Sequence, residues 1–203
     1  LLHAAVVRSV QRWELTRFKG PGLEWAGDLT PNMLLDGFQI LGQLLDTDDT
    51  CDRADAISAI MMVLSSDRWG IAQGRAEELA TQVLKFWDEH VSVFTLDETG
   101  TLTTRSRVFT EVATAMWTKT CSAEELETWA TSALGFRDSE GVLGLAQGLN
   151  PLLVQTLLVM GSENPEAPLA VASATASGTI SPTPDDLQLL SAQLMKHITA
   201  IDA

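Results

Sequence analysis

Apolar residues recur along this chain at intervals of three and four, the spacing that lines one face of an α-helix. Val6, Val10 and Trp13 share such a face, as do Leu34, Phe38, Leu41 and Leu45, and then Ile57, Ile60, Met61 and Leu64. The longest stripe, Leu79, Val83, Phe86, Trp87, Val91 and Phe94, predicts one helix of about five turns. Val108, Val112 and Met116 follow, then Leu126, Trp129 and Ala130, then the uniformly apolar Leu152–Met160 stretch, and finally Leu187, Leu190, Leu194 and Ile198. No comparable run alternates with period two, so any strand is expected to be short. Helix starts are marked by a hydroxyl before proline at Thr30-Pro31 and Ser181-Pro182, and by a capping box, Ser122 with Glu125. The Ala/Ser/Thr/Pro-rich stretch from Gly161 to Pro184 predicts a short helix between loops.

Between the helical stripes, four segments repeat a glycine followed two residues later by an aliphatic: Gly27-Asp28-Leu29-Thr30, Gly100-Thr101-Leu102-Thr103, Gly141-Val142-Leu143-Gly144 and Gly178-Thr179-Ile180-Ser181. A glycine that permits a sharp turn, an aliphatic anchor and a hydroxyl that caps the next helix are the parts of the middle of an EF-hand loop. On these segments, and on Leu84-Lys-Phe-Trp-Asp-Glu-His-Val-Ser-Val-Phe, Asp97-Glu-Thr-Gly-Thr-Leu-Thr and Phe109-Thr-Glu-Val, the chain resembles the sarcoplasmic calcium-binding protein, calexcitin and luciferin-binding group of EF-hand proteins. The resemblance implies an all-α fold of four EF-hand-like helix–loop–helix units in two paired lobes, with an extra helix inserted over 46–72 between the first and second hands. It implies one compact domain over 1–203, an N-terminal lobe over 1–119 with hands 1 and 2, and a C-terminal lobe over 120–203 with hands 3 and 4.

The metal ligands of such loops are missing. Calcium needs oxygen ligands at the first, third, fifth and ninth places and a bidentate glutamate at the twelfth. Registered on their glycines, the loops offer Gly22, Thr95, Phe136 and Ser173 at the first place and Met33, Ser106, Gln147 and Pro184 at the twelfth. Asp97 in the second loop, and Asp138 and Glu140 in the third, are too few to replace a cation's hydration shell, so no metal and no tight calcium binding are expected. Asp48-Asp49-x-x-Asp52 matches the aspartate-rich motif by which class I terpene synthases hold magnesium, but no second metal motif follows. These acids equally suit the first turn of the helix that begins near Asp52, the preferred reading.

Charge and thiols narrow the partners. With 27 acidic against 13 basic residues the formal net charge is −14, a field that repels phosphate backbones and anionic membrane surfaces, so no nucleic acid and no membrane partner is expected. Cys51 and Cys121 have no metal-ligand spacing and read as two buried thiols. The chain's first residues lack the basic head and cleavage site of a signal peptide, and the Leu152–Met160 run is about half a bilayer span, so a cytoplasmic location is expected.

Six tryptophans and six phenylalanines supply the candidate chemistry. Core packing accounts for most of them. In the luciferin-binding branch of the resembled group, however, such residues line an enclosed apolar cavity for one organic molecule. The resemblance thus implies ligand contacts from Trp13, Phe38, Phe86, Trp87, Phe109, Trp117 and Trp129. His90, three residues after Trp87, is expected on the same inward side, and is the candidate catalytic group. No cofactor motif occurs. The expected function is binding of a small apolar organic ligand. The alternatives are a metal- and cofactor-independent cyclase or isomerase of secondary metabolism acting in the same cavity, and a helix-binding interaction module, which the scattered methionines disfavour.

Overall fold

A computed structural model describes residues 2–16, 28–135 and 140–201. Ten α-helices and a small antiparallel sheet make up the described chain, so the fold is predominantly helical. It divides into two compact units, residues 1–117 and 118–203.

The N-terminal unit is built around helix α2 (Pro31–Asp48), against which α1 (Leu2–Thr16), α3 (Arg53–Ser65), α4 (Gln73–Lys85) and α5 (Arg107–Trp117) pack. Thr30 caps α2 as expected, its hydroxyl accepting from the Met33 amide at 3.3 Å, with Pro31 in the first turn. Two glycines let α2 approach its neighbours closely. A Cβ on Gly42 would lie 2.1 Å from the Ala113 Cβ of α5, and one on Gly37 would lie 2.2 Å from a Val83 methyl of α4.

Strand β1 (Thr50–Asp52) follows α2, and β2 (Phe94–Leu96) and β3 (Thr101–Thr104) form a hairpin between α4 and α5. The sheet order is β1-β3-β2, both pairs antiparallel, with Cys51 opposite Leu102 and Leu96 opposite Leu102 on the other side. Strands of three and four residues agree with the expectation that any sheet would be short. The chain turns through positive φ two residues before each member of the Cys51–Leu102 pair, at Asp49 (φ 55°) and Gly100 (φ 85°).

The helix expected to run from Leu79 through Phe94 stops earlier. Residues Phe86–His90 form a π-helical turn, closed by the Val91 amide on the Phe86 carbonyl at 3.2 Å, and Phe94 lies in β2. The wider turn breaks the 3.6-residue phase on which that expectation rested.

In the C-terminal unit, α6 (Ala123–Leu134), α7 (Glu140–Leu149), α8 (Pro151–Met160), α9 (Glu166–Ala176) and α10 (Pro184–Ile201) pack together. The Ser122–Glu125 capping box forms as expected. Helices α7 and α8 meet at a 119° bend. Asn150 holds that corner, its Oδ1 accepting from the Leu152 amide and its Nδ2 donating to the Thr118 carbonyl at 2.9 Å. Pro151, which has no N–H to contribute, opens α8.

One of the expected loops differs here. Gly141-Val142-Leu143-Gly144 is not a loop but the first turns of α7. Its apolar face, Val142, Leu143 and Ala146, outweighs the helix cost of its glycines, about 1 kcal/mol each. The Gly178 segment is a loop between helices, as expected, and Gly178 (φ 73°) follows the end of α9, where the Thr179 amide bonds the Ala174 carbonyl at 2.9 Å. Helix α10 starts at Pro184, not at Pro182. Its reciprocal cap is made by the Thr183 hydroxyl, accepting from the Asp186 amide, and the Asp186 carboxylate, accepting from the Thr183 amide. Gly22, Gly27, Phe136 and Asp138 of the expected first and third loops lie outside the described residues. Among the described residues no single helix is long and apolar enough to cross a membrane.

Candidate functional site

Four of the expected ligand-contact residues come together, but they meet one another. Phe38 on α2 lies 4.9 Å from Trp87 between ring centroids, Phe86 lies 5.0 Å from Trp87, and Trp13 on α1 meets Phe86 at 5.3 Å. Phe94 of β2, which was not among the expected residues, completes the cluster at 5.5 Å from Phe38. These are direct edge-on and tilted ring contacts. Phe38, Phe86, Trp87 and Phe94 are at most 1% exposed, and the Trp87 indole N–H donates to the Leu34 carbonyl at 2.8 Å. Rings in mutual contact leave no room between them for an organic molecule, so this cluster is a packed core.

Phe109 and Trp117 are half-buried on α5, and Trp129 is half-buried on α6 of the C-terminal unit. His90 is exposed at the end of the π-helical turn, not on the inward side, because a turn closed from residue i to i+5 carries it past the face defined by Phe86 and Trp87. Burial pushes the half-buried Cys121 thiol up to about 12, which leaves almost no thiolate nucleophile at neutral pH.

The acidic residues of the expected metal motifs lie at helix ends and in a turn. Asp48 ends α2, Asp49 caps it in the left-handed conformation and Asp52 precedes α3. Asp97 staples the β2–β3 turn, its Oδ1 accepting from the Thr99 amide (2.9 Å), the Thr99 hydroxyl (2.7 Å) and the Thr101 amide (2.9 Å). Those bonds, the Thr99 hydroxyl foremost, hold its carboxyl below the usual range. Among the described residues no three His, Cys, Asp or Glu side chains converge as a metal site.

Open space occurs instead in the C-terminal unit. A cleft of about 830 Å³ runs between α7 and α9, bordered by the end of α6 and by Thr179, and a smaller one of about 520 Å³ lies between the α7–α8 corner and the 179–183 segment. Small residues open the larger cleft, including Gly144 on α7 and Ala170, Ser173 and Ala174 on α9. A Cβ on Gly144 would meet nothing within 4 Å among the described residues, so none of them demands a glycine there.

Gln147 lines both clefts and is 2% exposed. Its Nε2 donates to the Leu143 and Ala170 carbonyls, each at 3.3 Å, while its Oε1 is buried and accepts from no protein group. Turning the amide over would press Oε1 against those two carbonyl oxygens, so the hydrogen bonds fix its orientation. A buried amide oxygen left unpaired costs about 1–3 kcal/mol. The clue in the sequence was a polar residue on the apolar face of α7, in step with Val142, Leu143 and Ala146, but the loop register had placed Gln147 at a twelfth ligand position instead. No protein-family model matches the chain, and neither the curated proteins nor the solved structures contain a match.

Proposed function

We propose that this protein binds a small, largely apolar organic molecule in the cleft between α7 and α9 of its C-terminal unit. The observation that carries the reading is the unpaired Gln147 Oε1, an acceptor that a ligand's N–H or O–H would satisfy. The cleft's volume is in the range of sites for drug-sized ligands, about 300–1,000 Å³. Its mixture of Leu143, Leu145 and Leu169 with a few polar groups is the usual composition of such sites. Binding is favoured over catalysis, because the described lining holds hydroxyls and one carboxylate but no His, Cys or Lys to pair with them.

Calorimetric titration of the full chain with 2-(1-naphthyl)ethanol tests this reading. The expected result is saturable binding that Gly144→Leu abolishes, since the new side chain enters the cleft with open space at its Cβ. Equal binding by the variant, or none by either protein, would refute the proposed site.

For the scaffold, we read the N-terminal unit as an EF-hand-like pair, α2–β1–α3 with α4–hairpin–α5. The short bridge at Cys51 and Leu102, with a positive-φ residue two places before each, supports this reading. It couples the 46–72 segment to the second hand. Because α2 stays helical through Asp48, the acids there are not arranged as a calcium loop. Calcium at 1 mM, an order-of-magnitude upper bound for EF-hand sites, is expected to leave the thermal midpoint unchanged. A rise of several degrees would contradict that.

A further inference from the structure

Given the binding role proposed above, on which this step rests, we infer that the α7–α9 cleft selects a protonated organic amine with an apolar body. The polar residues that line the cleft are unequal in kind. Both Nε2 hydrogens of Gln147 are engaged by carbonyls, so the buried amide offers a ligand only an acceptor. The Ser177 hydroxyl is engaged within the fold, donating to the Ala174 carbonyl at 3.1 Å and bonded to the Thr179 hydroxyl at 2.9 Å. Glu166, in the first turn of α9, is the one charged residue of the described lining, and no Lys, Arg or His joins it.

The carboxylate and the amide lie within reach of one small molecule. Glu166 precedes Ala170, whose carbonyl holds the Gln147 side chain, by one helical turn, about 6 Å along the axis. An ammonium group brings several N–H donors and a positive charge, and so answers both. A carboxylate ligand would bring only acceptors to the Gln147 oxygen and a like charge to Glu166, inside a chain whose net charge is already −14. An alcohol would satisfy Gln147 but gain nothing from Glu166.

Three probes with one apolar body separate these cases: 2-(1-naphthyl)ethylamine, 2-(1-naphthyl)ethanol and 1-naphthylacetate, titrated into the full chain at pH 7 and low salt. The amine is expected to bind tightest, by about three- to fivefold over the alcohol, which is what a partly exposed ion pair contributes. The acid is expected to bind weakest. Glu166→Gln, an exposed change, should erase the amine's advantage and leave the alcohol's affinity as it was. Gln147→Met should weaken amine and alcohol alike. Amine and alcohol of equal affinity, or an amine preference that survives Glu166→Gln, would overturn the selectivity while leaving the binding role intact. An amine held equally by Gln147→Met would show general attraction to an acidic protein and overturn it too. Failure of all three probes would sink the binding role itself.

Discussion

Two buried polar side chains show what burial costs when partners are complete and when they are not. Asp36 on α2 is 6% exposed and fully engaged, accepting from the Trp69 indole N–H at 2.9 Å and facing the Arg68 guanidinium at 3.3 Å. Even so, burial pushes its carboxyl up against the downward pull of both partners. A carboxyl raised in this way keeps its proton longer in the folded than in the unfolded state, so folding stability falls as pH rises from about 4 through its shifted value. Asp36→Asn keeps an acceptor for Trp69 and removes the buried charge. In urea titrations from about pH 4, an ordinary Asp value, up to neutrality, the variant is expected to lack that decline and to match or exceed the wild type at neutral pH. A steeper decline in the variant would show that the ion pair outweighs desolvation. Gln147 is the opposite case, with one end unanswered. The carbonyls it touches already lie in helices α7 and α9, so Gln147→Met should change the folding free energy by no more than about 1 kcal/mol. A loss of 3 kcal/mol or more, the scale of a broken core network, would mean that the amide is a structural member and not a ligand group.

Among the elements, what was legible in the sequence was what neighbours in the chain decide. The Thr30 cap and the Ser122–Glu125 box need only residues three apart, and both form as read. The hairpin was hidden because Asp97-Glu-Thr-Gly serves a β-turn as well as it serves a helix-joining loop, and the pairing of Phe94 with Thr104 settles which. His90 was misplaced by a single π-helical turn. The cleft was the least legible part, since it depends on α9 lying beside α7, and on the contact from Gln147 to Ala170, which is 23 residues away. Close helix contacts give this scale its own test. Gly42 faces the Ala113 Cβ, a backbone-fixed atom that cannot swing aside, so Gly42→Ala must part α2 from α5. It is expected to cost about 1–3 kcal/mol in chemical denaturation despite alanine's better helix propensity. Gly144→Ala, with open space at its Cβ, should instead gain about 0.5–1 kcal/mol. Equal effects at the two positions would contradict the contrast between packed and open helix faces.

For the molecule as a whole, the two units divide the labour. The N-terminal unit gathers Trp13, Phe38, Phe86, Trp87 and Phe94 into a core with its rings in contact, while the C-terminal unit leaves small residues and an unpaired amide oxygen along an open cleft. A buried amide oxygen without a partner and a helix glycine that no described neighbour requires are both local costs, and such costs cluster where function is kept. The most direct test is a ¹H–¹⁵N spectrum of the full chain recorded during titration with 2-(1-naphthyl)ethylamine. It reads the Gln147 side-chain amide and the tryptophan indole signals at once. The account predicts that the Gln147 amide signals shift with saturation while the indole signals of Trp13 and Trp87 stay in place. Shifts confined to those indoles, with the Gln147 signals unmoved, would place the ligand in the aromatic core and contradict the account.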